Sequence, residues 1–207
     1  NQMKQKIAIL NLGYGNIASI INAVEYLGFE QKLEKNPKNV KNYTHLILPG
    51  VGSFLENSKR IHKNDWRKEI IKAANNGIYI FGICVGMQLM FRDGNEGGKI
   101  SKGLNLFSGS CKIFNNKKNV KLPHIGFNKV QHSNSKIWNG IPNNSSFYFV
   151  HSYRINSTEN KYKCGYTTYG EKFISFIEHN NIFASQFHPE KSHKVGLKLL
   201  KNFLLLK

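Results

Sequence analysis

The sequence predicts an α/β fold: a mostly parallel central sheet flanked by helices, with antiparallel strand additions in its second half. Three observations point there. Short apolar runs alternate with stretches of helical periodicity over the first ninety or so residues. From Leu106 the texture changes to short alternating segments, and a glycine-framed corner, Gly82-Ile83-Cys84-Val85-Gly86, joins a strand to a helix. At 207 residues and 40% hydrophobic content, the chain can bury one substantial core, so residues 1–207 are expected to form a single domain.

Lys6 to Leu12 reads as an apolar strand, and Ile17, Ile20, Ile21, Val24 and Leu27 recur at helical spacing. Phe29 to Leu33 and His45 to Leu48 read as further strands, Trp66 to Ala74 as a helix, and Ile78 to Phe81 as a buried strand. Met87 to Phe91 continues beyond the corner as a helix. Beyond Leu106, strands are expected over Lys112 to Phe114, Asn128 to Gln131, Phe147 to His151, Lys163 to Thr168, Phe173 to Ile177 and Phe183 to Phe187, all added to the same core. A closing helix from about Ser192 carries Val195, Leu199, Leu200 and Phe203 on one face.

Cys84 sits on the strand-to-helix corner, where glycines on either side permit strained backbone and close approach. A lone cysteine among apolar neighbours is ordinarily inert packing, and Cys111 and Cys164 are read that way. Cys84 differs because the first turn of a helix favours thiolate over thiol, and because His188-Pro189-Glu190 supplies a base and a carboxylate downstream. In a strand-like His-Pro-Glu the two side chains would share one side, the carboxylate fixing the imidazole tautomer.

Three cysteines without paired spacing argue against a disulfide framework and for a reducing, cytoplasmic setting. No apolar run is long enough to span a membrane, and no signal-like segment opens the chain, so no membrane association is expected. Met3 is expected to be the native first residue, preceded by Asn1 and Gln2. The net charge of +18 invites a nucleic-acid reading, but the positive charge is almost all lysine. Only Arg60, Arg67, Arg92 and Arg154 could make the bidentate contacts on which base and phosphate recognition leans, so no nucleic acid is predicted. Such charge would still draw anionic substrates or an acidic partner. None of His45, His62, His124, His132, His151, His179 and His193 lies at metal-ligand spacing, so neither a metal nor a cofactor is predicted.

Gly13-Tyr14-Gly15-Asn16-Ile17-Ala18, with Glu34 beyond it, matches a dinucleotide fingerprint. A nicotinamide-dependent dehydrogenase is therefore a rival reading. It ranks lower because the pattern is short and leaves Cys84, His188 and Glu190 unexplained.

Across nearly its whole length the sequence resembles the triad (class I) glutamine amidotransferases, which are flavodoxin-like, and in particular the glutaminase subunits of imidazole glycerol phosphate synthases. The matching segments are Gly13–Asn16, Leu48-Pro49-Gly50-Val51-Gly52, Gly82–Gln88, Pro123-His124-Ile125-Gly126-Phe127-Asn128, Tyr148–Tyr153 and Gln186–Ser192. The resemblance implies that Cys84 attacks the carboxamide of glutamine, His188 carries the proton to departing ammonia, and Glu190 holds the imidazole. It implies an oxyanion hole from Gly50, Val51, Gly52 and Val85, and substrate contacts at Gly52 and Gln88. It further implies a heterodimer with a (β/α)8-barrel synthase that receives ammonia through a dry channel, because a chain ending soon after Glu190 is not expected to hold an acceptor. Asn16, Pro123, His124, Tyr148 and His151 are the expected interface or coupling residues, with a satisfied structural role weighed at least equally for His124 and His151. Histidine biosynthesis ranks first. Departures at Asn11, Phe127 and Ala184, where many relatives carry Asp, Trp and Gly, keep in view a paralogous subunit feeding a nucleotide-sugar synthase.

Overall fold

The computed structural model describes residues 4–13, 17–115 and 119–207. Among these, the first strand β1 (Ile7–Leu10) lies parallel to β2 (Gln31–Glu34) and β3 (His45–Leu48), and β3 lies parallel to β4 (Tyr79–Ile83). β1 and β3 are buried at every position, as an apolar run between two layers of helix must be. The helices are α1 (Ala18–Tyr26), α2 (Phe54–Ile61), α3 (Trp66–Asn75), α4 (Val85–Met90) and α5 (His193–Leu204). The remaining strands are β5 (Phe91–Glu96), β6 (Lys99–Lys102), β7 (Phe107–Ile113), β8 (His124–Val130), β9 (Ser145–His151), β10 (Tyr153–Arg154), β11 (Lys163–Tyr169), β12 (Glu171–His179) and β13 (Ile182–Ser185).

The central sheet has the order β11-β12-β13-β4-β3-β1-β2. β13 runs parallel to β4, and β12 and β11 then extend that edge antiparallel. The predicted mixed α/β sheet is thus present. One part of the expectation needs correction, since not all later strands join this sheet. β10, β7, β5 and β6 form a four-stranded sheet, and β8 pairs with β9 in a two-stranded ribbon.

The helix expected over Met87 to Phe91 stops at Met90. Incoming backbone takes the carbonyls that would have continued it: Leu104 N–H donates to Leu89 O (2.7 Å), Leu106 N–H to Met90 O (2.8 Å) and Asn105 N–H to Phe91 O (3.2 Å). α2, which the periodicity reading omits, is short and starts at a capping box. Ser53 Oγ accepts from Glu56 N–H, and the Glu56 carboxylate accepts from Ser53 N–H. Among the described residues no helix is long and apolar enough to cross a membrane.

Candidate active site

The site stands at the C-terminal ends of β4 and β13, where ligands gather in sheets of this kind. Cys84 occupies the corner between β4 and α4 with φ 57° and ψ −113°, a conformation that costs strain in a residue with a Cβ. Its N–H is held by Ser185 O on the neighbouring strand at 2.8 Å. Glycine is required beside it. A Cβ on Gly86 would lie 2.0 Å from Leu48 O, and one on Gly50 would lie 2.4 Å from Gly86 N, so the Pro49–Gly52 loop lies directly against the first turn of α4. Asn57 Nδ2 donates to Val51 O and Ser53 O, both at 2.8 Å, and so fixes the peptide that carries the Gly52 N–H.

Cys84 lines a cavity of about 200 Å³ together with Gly52, Val85, Gln88, Glu96 and Pro123. That is smaller than the roughly 300–1,000 Å³ of drug-sized sites and suits a metabolite of about ten non-hydrogen atoms. A larger cavity of about 460 Å³ lies at the opposite end of the sheet, beside His45 and Tyr79, and no cysteine lines it.

His188 and Glu190 meet at 2.6 Å, Nδ1 to Oε1. A carboxylate only accepts, so Nδ1 carries the hydrogen and Nε2 is left for the sulfur. The pairing does not come from strand alternation, as the sequence suggests. His188 is extended, and Pro189–Lys191 then turns as a 3-10 helix that brings the carboxylate back. Burial alone would lower the His188 pKa, but hydrogen bonds and charge from Cys84 and Glu190 outweigh it and raise the value to about 10. The other carboxylate oxygen, Glu190 Oε2, is buried without a hydrogen-bond partner among the described residues, which leaves His188 to balance the charge. The His188 main chain is anchored by β9, where Tyr148 O accepts from the His188 backbone N–H at 2.9 Å. Ser192 Oγ closes the clamp, accepting from Tyr148 N–H (2.9 Å) and donating to His188 O (2.6 Å).

The structure therefore brings Cys84, His188 and Glu190 together, with Gly52 and Val85 lining the same cavity as the sulfur and Gly50 packed against Val85 and Gly86. Gln88 lines the cavity but is buried, and its Nε2 donates to Tyr153 O (3.2 Å) and Gln186 Oε1 (3.1 Å). With both amide hydrogens used, its remaining offer to the cavity is an acceptor oxygen. Of the expected interface residues, Pro123 is exposed at the cavity and Tyr148 faces outward on the ribbon. His124 and His151 do not lie on that outer surface. Alternation along β8 and β9 turns them inward, 3% and 6% exposed, with His124 stacked on Phe149 and Tyr169. Asn16, within the segment Gly13–Asn16, lies outside the described residues.

Sequence reasoning misses Glu96 and Gln186. Glu96 carries no local signal, reaching the cavity only because β5 folds back from α4, and Gln186, although it opens the matching segment Gln186–Ser192, is given no role by the sequence. The dinucleotide rival loses its acidic anchor. Glu34 is buried, accepting from Asn36 N–H (2.9 Å), Asn39 Nδ2 (3.2 Å) and Tyr43 Oη (2.6 Å), and so is spent on its own loop. Among the described residues no cluster of three His, Cys, Asp or Glu could hold a metal ion.

A cysteine at a strained elbow with a histidine–carboxylate pair on an α/β sheet defines a triad amidotransferase. The chain belongs to the class-I glutamine amidotransferase family, whose sequence model matches residues 8–206. Its relatives include the imidazole glycerol phosphate synthase subunit HisH of Caldanaerobacter subterraneus subsp. tengcongensis, 39% identical over 95% of this chain and 96% of that one. The HisH subunit of Helicobacter hepaticus is 38% identical over 98% of this chain and 99% of its own. HisH 1 of Campylobacter jejuni is 39% identical over 97% of this chain and 100% of its own. A crystal structure of a glutamine amidotransferase shares the fold, with TM-score 0.75 and 17% identity over 96% of this chain and 97% of that one. So does PurLQS from Thermotoga maritima, with TM-score 0.73 and 18% identity over 98% of each chain.

Proposed function

We propose that this chain is the glutaminase subunit of an imidazole glycerol phosphate synthase, releasing ammonia from glutamine for a (β/α)8-barrel partner in histidine biosynthesis. The observation that carries the reading is Cys84 on its elbow, facing a cavity of about 200 Å³, with the His188–Glu190 pair at 2.6 Å behind it. The Cys84 thiolate attacks the side-chain carboxamide carbon, and the oxygen gathers negative charge. The donors we assign to it are the backbone N–H groups of Val85 and of the Gly50–Gly52 loop, which packs against the first turn of α4. The His188 imidazolium gives its Nε2 proton to the departing ammonia, leaving a γ-glutamyl thioester on Cys84. Neutral His188 then takes a proton from water, which adds to the thioester and releases glutamate and the free thiolate. Glu96 is the carboxylate of the cavity, suited to the substrate's α-ammonium, and Gln88 adds an acceptor beside it.

The outer face of the β8–β9 ribbon fits a partner. Ile125 and Phe127 are 60% and 50% exposed, opposite Val150 and Tyr148 in register, and the patch runs into the cavity rim at Pro123 and Val150. A partner seated there covers the mouth and keeps ammonia from the water that would protonate it. No membrane or nucleic acid enters this scheme, and its setting is the cytoplasm. The sugar-synthase and dehydrogenase readings are not favoured by the relatives or by Glu34. The test is glutamate release measured with and without the barrel synthase and its nucleotide substrate. The reading expects turnover to rise severalfold when the liganded partner is added, and equal turnover in all arms overturns it.

A further inference from the structure

We infer that Gln186 is a catalytic residue whose carboxamide donates a hydrogen bond to the Cys84 sulfur, in an orientation dictated by the backbone carbonyl of Tyr153. The inference rests on the reading of Cys84 as the nucleophile. Gln186 is fully buried immediately after β13, and its Nε2 lies 3.7 Å from Cys84 Sγ. An amide can present either end to a sulfur, so the question is what decides.

The answer lies in a chain of hydrogen bonds with only one consistent direction. Tyr153 O can only accept. It therefore takes a hydrogen from Gln88 Nε2 at 3.2 Å, which turns the amino end of Gln88 toward β10. The same amino group donates its other hydrogen to Gln186 Oε1 at 3.1 Å. With the oxygen of Gln186 committed there, its amino end must face the sulfur, and the sulfur must accept. A hydrogen bond to the charged form of an acid favours that form, so the arrangement stabilises thiolate over thiol.

A second arm holds the carbonyl. His151 Nδ1–H donates to Tyr153 O at 2.8 Å, so His151 Nε2 is an acceptor and takes the Nδ1–H of His124 at 2.9 Å. His124 Nε2 in turn accepts from Asn128 Nδ2 at 3.3 Å. Every hydrogen is thereby placed, with both imidazoles neutral. Burial lowers the His124 pKa to about 4 and that of His151 to about 3, in keeping with that assignment. The histidine pair is thus a rigid brace beneath the ribbon, and Gln186 is the group it ultimately aims.

The test is alkylation of Cys84 by iodoacetamide from about pH 5 to 10, followed by mass spectrometry of the Cys84 peptide, which needs neither glutamine nor a partner. Gln186→Met keeps the volume and removes the donor. Labelling of Cys84 near neutral pH should then slow by about tenfold. A Gln186→Met profile that superimposes on wild type overturns the inference. The unmutated protein gives an independent check: the Gln186 side-chain N–H resonances should follow the Cys84 titration and lose that response in Cys84→Ser. Resonances indifferent to the sulfur's charge reject the contact even if Gln186→Met does not fold. A failure of the glutaminase reading would show separately, as no glutamate release from the wild-type complex.

Discussion

Glu190→Gln isolates what the buried carboxylate does for His188. The substitution keeps the shape and an oxygen able to accept the Nδ1 hydrogen, and removes only the charge. The partners raise His188 from 6.5 to about 10 against the opposing effect of burial, a preference for imidazolium on the order of 5 kcal/mol. Cys84 and Glu190 both raise it, so removing the Glu190 charge lowers the His188 pKa. Two measurements read it. An opposite charge in contact is typically worth about one unit or more, so the alkaline limb of the pH profile of the complex should move down by at least about one unit and kcat/KM should fall about tenfold. The folded value lies above the unfolded one, so the contribution to stability is complete below about pH 6.5 and is lost as pH rises through about 10. Wild type should therefore outlast Glu190→Gln in thermal unfolding near pH 6, and the two should converge above about pH 10. An activity loss with an unmoved alkaline limb, or a stability gap that widens with pH, would refute the electrostatic argument.

Cys84→Ser should reduce glutamate release by the complex to background, because serine at this corner lacks a thiolate. Gly86→Ala forces a Cβ against Leu48 O at 2.0 Å, and scanning calorimetry should show a loss of about 3 kcal/mol or more, a Tm lower by about 6–12 °C. Glu96→Gln should raise KM for glutamine about 10- to 100-fold with a smaller change in kcat, as expected for a lost charge-assisted contact. Phe127→Asp, on the half-exposed outer face of the ribbon, should weaken binding to the barrel synthase in titration calorimetry by at least tenfold.

The elbow is legible in the sequence because its geometry makes a local demand. Gly82 and Gly86 stand where backbone meets backbone, so that a Cβ at Gly82 would press on Gly86 O and one at Gly86 on Leu48 O. Most of the parallel half of the sheet is legible because β1, β4 and β13 are short, largely apolar runs and β3 is apolar after His45, whereas β2 at the edge is polar. What stays hidden depends on distant pairing. Nothing local tells that Phe91 begins a strand, because the segment that ends α4 is 103–106, arriving from beyond the β5–β6 hairpin. The division of the later strands into three sheets is hidden likewise. His124 and His151 illustrate the same limit within the site. Their motifs are visible, but only the cross-strand register that pairs them shows they are buried braces instead of surface contacts.

The most direct test of the central claim is intact-protein mass spectrometry of the complex, acid-quenched within milliseconds of mixing with glutamine. The account predicts a γ-glutamyl thioester on Cys84 that accumulates when His188→Asn slows its hydrolysis and is absent from Cys84→Ser. Glutamate formed at an undiminished rate with Cys84 never acylated, or an adduct on Cys111 or Cys164 instead, would contradict it.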